Sequence, residues 1–178
     1  MIGVLALQGG FAAHAAILRG LGADVREVRV PAGLDGLDGL VMPGGESTTM
    51  TLGVEREGLG DPLRAFAASG RPVLGTCAGM IMLDRDHLGV LDMRCERNAF
   101  GRQTHSFETD LELEGRTVHA VFIRAPWVAE AGPEVEQLAD VDGHTVAVRR
   151  DNVLAVAFHP ELSGETGLHE SFLERTRA

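Results

Sequence analysis

Pro72-Val73-Leu74-Gly75-Thr76 reads as a short apolar strand, Ala78 to Leu83 begins a helix, and Gly75-Thr76-Cys77-Ala78-Gly79 joins the two. That spacing is the one of a nucleophile elbow, G-x-S-x-G, with cysteine in the nucleophile's place. The glycines permit a tight strand-to-helix turn, which lifts the Cys77 sulfur above the end of a sheet. A helix N-terminus there favours a thiolate, and the Ala78 N–H points at the oxyanion formed when a thiolate attacks a carbonyl. A small buried cysteine in a Gly-rich strand end is the bland reading of the same pentapeptide. The segments around it decide between the two.

Upstream, Ile2 to Leu7 is a continuous apolar run ending at Gly9-Gly10, as in a strand buried on both faces. Phe11 to Leu21 carries Ala and Leu at helical spacing and closes on Gly22. Asp24 to Val30 alternates valines as a second strand, and Gly39 to Met42 is a third, stopped by Pro43-Gly44-Gly45. Asp61-Pro62 sets a capping acid before a proline and starts the helix bearing Leu63, Phe66 and Ala67. Downstream, Leu88 to Phe158 turns to short strand-like runs, among them Leu111 to Leu113, Val118 to Ile123, Thr145 to Val148 and Val153 to Phe158. An amphipathic helix over Gly167 to Arg175 closes the chain. The expected fold is α/β: a mostly parallel central sheet with helices on both faces and a small antiparallel extension. No repeat, linker or boundary divides it, so a single domain over 1–178 is expected.

Composition narrows the chemistry. All 16 basic residues are Arg, and Lys and Tyr are both absent. A lysine imine, a Walker-type phosphate lysine and a tyrosine acid are therefore excluded from this chain's own mechanism. A net charge of −10 disfavours nucleic acid and anionic membrane as partners. Two cysteines, Cys77 and Cys95, make no disulfide framework in a chain this long, and the apolar start lacks a basic leader. A cytoplasmic location is expected.

Three further constellations bear on Cys77. In the extended segment Phe158-His159-Pro160-Glu161, residues two apart face one way, so His159 and Glu161 supply the base and the acceptor that orients it. Alone, such a turn is more often an exposed loop. Pro43-Gly44-Gly45-Glu46-Ser47-Thr48-Thr49 offers open backbone amides to a ligand or oxyanion, and its Ser/Thr run suits the cap of a following helix. Glu96-Arg97-Asn98-Ala99-Phe100-Gly101-Arg102-Gln103 and Ile123-Arg124-Ala125-Pro126 each bring an arginine able to clamp a carboxylate, with a solvated ion pair as the equal alternative. His14, His87, His105, His119, His144 and His169 match no metal-ligand spacing, and no metal or cofactor is expected.

Taken together, Gly75 to Gly79 and His159-Pro160-Glu161 resemble the triad-type (class I) glutamine amidotransferases. Adding Leu7-Gln8-Gly9, the Gly-Gly-Glu-Ser-Thr-Thr run, Glu96 to Gln103 and Phe122 to Pro126 makes the chain similar to the glutaminase subunits of pyridoxal 5′-phosphate synthase. The resemblance implies Cys77 as nucleophile, His159 as acid/base and Glu161 as its orienter. It implies L-glutamine bound by Gly45, Glu46, Ser47, Arg97, Ile123 and Arg124, with the oxyanion held by the amides of Ala78 and Gly45. It also implies a (β/α)-barrel synthase partner in a hetero-oligomer, receiving ammonia to make pyridoxal phosphate (vitamin B6) from a pentose phosphate and a triose phosphate. A stand-alone cysteine hydrolase or peptidase, or a non-catalytic regulatory subunit, are the alternatives.

Overall fold

The computed structural model describes residues 1–100 and 106–177. The first half runs β1 (Ile2–Leu5), α1 (Phe11–Gly20), β2 (Val25–Val28), β3 (Gly39–Met42), α2 (Ser47–Arg56), α3 (Gly60–Ala68), β4 (Val73–Thr76) and α4 (Ala78–Leu83). The second half runs β5 (Met93–Glu96), β6 (Phe107–Leu113), β7 (Arg116–Phe122), β8 (Trp127–Ala131), β9 (Glu136–Val141), β10 (His144–Arg150), β11 (Val153–Val156) and α5 (Gly167–Arg175).

Strands β2, β1, β3, β4 and β11 pair in that order, all parallel. This is the 2-1-3-4-5 order of flavodoxin-like sheets, with β11 in the fifth place. Every residue of β1, β3, β4 and β11 is buried, which requires cover on both faces of the sheet. Helices supply it from their apolar sides, including Ala15 and Leu18 of α1, Leu63 and Phe66 of α3, and Leu168, Phe172 and Leu173 of α5. Each such large side chain contributes roughly 1.5–3 kcal/mol on burial.

The antiparallel extension has two parts. Strands β10, β8 and β5 continue the main sheet beyond β11, with β9 also paired to β10. Strands β6 and β7 form a separate hairpin. Phe107 and Phe122 of that hairpin stack at 4.6 Å, and Phe122 meets Phe158, just past β11, edge-on at 5.7 Å. The hairpin is thereby packed against the chain leading to His159.

Local chemistry moves several boundaries from their sequence positions. The second strand stops at Val28; Val30 is exposed, and Pro31 opens a 3-10 turn. Helix α3 begins at Gly60 with Asp61 inside its first turn, where the carboxylate meets Arg64 at 2.7 Å and caps no backbone amide. Helix α2 is capped by Glu46 instead of the Ser/Thr run, its carboxylate accepting from the Thr48 and Thr49 amides at 3.0 and 2.6 Å. Glutamate succeeds there because its longer side chain folds back over the helix end.

Candidate active site

Because β1, β3, β4 and β11 are parallel, the segments that follow them emerge at one edge of the sheet: Gln8-Gly9, Gly44-Gly45, Cys77 and His159. Ligand sites of open α/β sheets lie at that edge.

Cys77 adopts φ 48° and ψ −107°, a backbone strain worth about 1–3 kcal/mol. The neighbouring strand holds it there: its N–H donates to the Val156 carbonyl at 2.9 Å, and its own carbonyl accepts from Met80 N–H at 3.0 Å. The flanking glycines are a steric necessity. A Cβ on Gly79 would overlap the Met42 carbonyl, and one on Gly75 would stand 2.6 Å from Leu83 Cδ1 and 2.9 Å from the Gly79 carbonyl oxygen. The G-x-C-x-G pattern thus records how closely α4 is drawn against β3 and β4.

His159 Nδ1 lies 2.8 Å from Glu161 Oε1. A carboxylate accepts, so Nδ1 carries the proton of the neutral ring and Nε2 is left free to exchange one. Gly44 packs between this imidazole and Cys77: a Cβ there would sit 2.6 Å from His159 Cε1 and 3.2 Å from Cys77 Cβ. Burial disfavours a charged His159, yet hydrogen bonding and charge from Cys77 and Glu161 outweigh it and raise its pKa to about 10. Burial likewise pushes Glu161 upward, but the close approach of His14 and the hydrogen bond from His159 hold it well below the usual carboxylate range. The backbone N–H of His159 donates to Val121 O at 2.8 Å, so the β6–β7 hairpin also fixes the imidazole's place.

Cys77, Ala78 and His159 face a cavity of about 350 Å³. Gly45, Glu46, Ser47, Arg97, Ile123 and Arg124 line the same cavity. Glu161 does not reach it; its side chain is only 3% exposed, behind His159. Arg97 donates to Glu46 Oε1 at 3.1 Å and to Thr48 Oγ1 at 3.3 Å, so the two motifs meet across the site. Backbone amides of Thr49 and Thr48 pull the Glu46 pKa down to about 2, keeping it anionic. Gly101, Arg102 and Gln103 of the Arg97 motif lie outside the described residues.

Asn98 and Ile81 also line the cavity and were not singled out by sequence spacing. Asn98 carries a trace of its role in the residue type, since asparagine tolerates the φ of 48° found there. The Gln8 amide, which donates to the Glu46 carbonyl at 3.0 Å, ties β1 to the glycine loop. Cys95 sits in β5, its thiol pushed upward by burial and by Asp84 and Asp86. Among the described residues no cluster of His, Cys, Asp or Glu is arranged to hold a metal ion.

The SNO glutamine amidotransferase family matches residues 4–178. The chain belongs to that family. It is 50% identical to the pyridoxal 5′-phosphate synthase subunit PdxT of Mycolicibacterium vanbaalenii, over 97% of this chain and 95% of that one. It is 52% identical to PdxT of Parafrankia sp., over 99% and 93%. A crystal structure of a glutamine amidotransferase superposes with a TM-score of 0.93 at 45% identity, covering 99% of both chains. PurLQS from Thermotoga maritima, at 18% identity and a TM-score of 0.76 over 99% of this chain and 93% of that one, shares the fold. For this member of the SNO family, the likeness therefore spans both the sheet and the loops that build the cavity.

Proposed function

We propose that this chain is the glutaminase subunit of a pyridoxal 5′-phosphate synthase, a single domain over residues 1–178 that hydrolyses L-glutamine and passes the ammonia to its synthase subunit. The carrying observation is the convergence, in an SNO-family chain, of a strained Cys77 and a Glu161-anchored His159 on one cavity.

The Cys77 sulfur attacks the side-chain carbonyl carbon of glutamine as its proton passes to His159, and the carbonyl π electrons move to oxygen. Amides of Ala78 and Gly45 receive that oxyanion; each donor of this kind contributes roughly 3 kcal/mol in the transition state. His159 gives its proton to the departing nitrogen as the C–N bond breaks, leaving a thioester and ammonia. It then takes a proton from water, whose oxygen attacks the thioester, and glutamate leaves as the C–S bond breaks and the proton returns to sulfur. Arg97 and Arg124 suit the substrate α-carboxylate and the anionic Glu46 its α-ammonium, with Gly45, Ser47 and Ile123 completing the pocket.

Lysine is absent from the chain, so imine chemistry with sugar phosphates falls to the partner. That partner is a (β/α)-barrel in a cytoplasmic hetero-oligomer. Among the described residues no helix is long and apolar enough to cross a membrane. Glutamate release from L-glutamine, measured with and without the cognate synthase subunit and beside Cys77→Ala, tests the reading. Release with the partner and none from Cys77→Ala is expected; no release from the wild-type complex would overturn it, and partner-free peptide cleavage would point to a peptidase.

A further inference from the structure

His14 of α1 and His169 of α5 are both fully buried, 155 residues apart, on the side of Glu161 away from the cavity. His14 Nδ1 lies 2.9 Å from His169 Nε2, with the rings tilted and their centroids 5.1 Å apart. Its other nitrogen, Nε2, is 3.3 Å from Glu161 Oε2 and 3.3 Å from Thr76 Oγ1, on the residue directly before Cys77. Glu161 Oε1 is already taken by His159. Among the described residues Oε2 has no partner of good hydrogen-bond geometry, and His14, longer and less linear than the His159 contact, is its ion-pair neighbour.

Bare polar atoms at such depth forfeit their hydration without recompense, so two imidazoles in a helix–sheet interface need an account. One arrangement of protons suits the row best. His169 Nε2–H donates to His14 Nδ1, His14 Nε2–H faces Thr76 Oγ1 and Glu161 Oε2, each 3.3 Å from the nitrogen, and His159 Nδ1–H donates to Oε1. His169 Nδ1 is then a lone pair, and it is the nitrogen of the row with no partner. The reverse order would set a His14 lone pair against a carboxylate oxygen and leave a buried N–H orphaned, the rarer defect.

We propose that His14 is a positioning residue for glutamine hydrolysis: it holds the second oxygen of Glu161 so that the first stays on His159, while His169 fixes the His14 tautomer from behind. This rests on the glutaminase reading given above. A carboxylate gripped at one oxygen can swing about its last torsions; gripped at both, it presents a fixed acceptor. Partners that fix the tautomer and orientation of functional groups in this way are known to matter at metal sites, where their loss lowers activity 10- to 100-fold. The titratable groups around His14 are Glu161, His169 and, across Glu161, His159. Burial and the neighbouring His14 push His169 down to about 4, so it stays neutral at physiological pH as this proton order requires.

The test is steady-state glutaminase kinetics of the full chain in complex with its synthase subunit. His14→Leu is expected to lower kcat roughly 10- to 100-fold with KM changed less than about threefold. His14→Gln carries its amide N–H to the Nε2 position and is expected to restore most of the rate; His14→Asn reaches only the Nδ1 position and is not. In a Glu161→Gln background, His14→Leu is expected to cost less than about a further twofold, because it acts through Glu161. Equal losses in the Gln and Asn variants, or a full multiplicative loss in the Glu161→Gln background, would overturn the proposal. If His14→Leu melts below the assay temperature, the Gln/Asn pair decides alone. Absence of glutamate release from the wild-type complex would instead sink the glutaminase reading, which no His14 variant enters.

Discussion

Replacing His169 should alter the acid side of the stability profile. Its pKa is lowered to about 4 in the folded chain, mainly by burial and then by His14, against an ordinary 6.5. Between those values the unfolded chain binds a proton that the folded chain refuses. The stability from a neutral His169 is therefore fully present above about pH 6.5 and is lost progressively as the pH falls toward 4. At roughly 1.4 kcal/mol for each tenfold difference in proton affinity, the whole window is worth about 3 kcal/mol. Most of it, between about 2 and 3 kcal/mol, is lost by pH 4.5. Urea unfolding of the wild type and of His169→Leu at pH 7.5, 6.5, 5.5 and 4.5 isolates this contribution, because Glu161 and the other carboxylates titrate in both proteins. The variant starts lower at pH 7.5, having lost the contact to His14, and its decline toward pH 4.5 should be shallower by that amount. Parallel curves would refute the reasoning and show that His169 is not held neutral by its surroundings.

Other outcomes follow from the same geometry. Gly44→Ala places a Cβ 2.6 Å from the His159 ring and should lower kcat by roughly a hundredfold with a modest change in unfolding midpoint; near-wild-type turnover would show that the imidazole has room to move. Gly79→Ala drives a Cβ into the Met42 carbonyl and should destabilise by about 1–3 kcal/mol or more in thermal or urea unfolding, and an unchanged melting temperature would count against the elbow's packing. The stability due to a charged His159 is fully present below about pH 6.5 and is lost as pH rises through about 10, so Cys77→Ala, which removes one of its supports, should flatten the alkaline decline in urea midpoints. An equally steep decline in the variant would deny the Cys77–His159 coupling.

The strands that carry the site could be read from the sequence because each is a short apolar run; the strand Gly39 to Met42 and the helix Ala78 to Leu83 have the observed bounds. Cys77 and His159 announce themselves by strand-end position, and Glu161 by its two-residue offset. Less was visible where long-range packing decides. Glu46 caps α2 in place of Ser47 or Thr48, and its carboxylate also meets Arg97, 51 residues away, a contact no local spacing shows. His14 and His169 share no spacing that would pair them; only the packing of α1 and α5 about Glu161 brings them to 2.9 Å. The outlying strands β5, β8 and β9, with mixed burial, lack the apolar continuity that made the central ones plain.

That the Glu161 side chain stays 3% exposed behind His159 has a consequence for anything that enters the cavity. A covalent reagent or tight-binding inhibitor meets Cys77 and His159 but has no route to the carboxylate or to the histidines beyond it. Substitutions on the inward faces of α1 and α5 can therefore retune turnover while leaving inhibitor affinity unchanged. Selection for drug resistance and selection for catalytic rate would then act on different sets of residues in one small molecule.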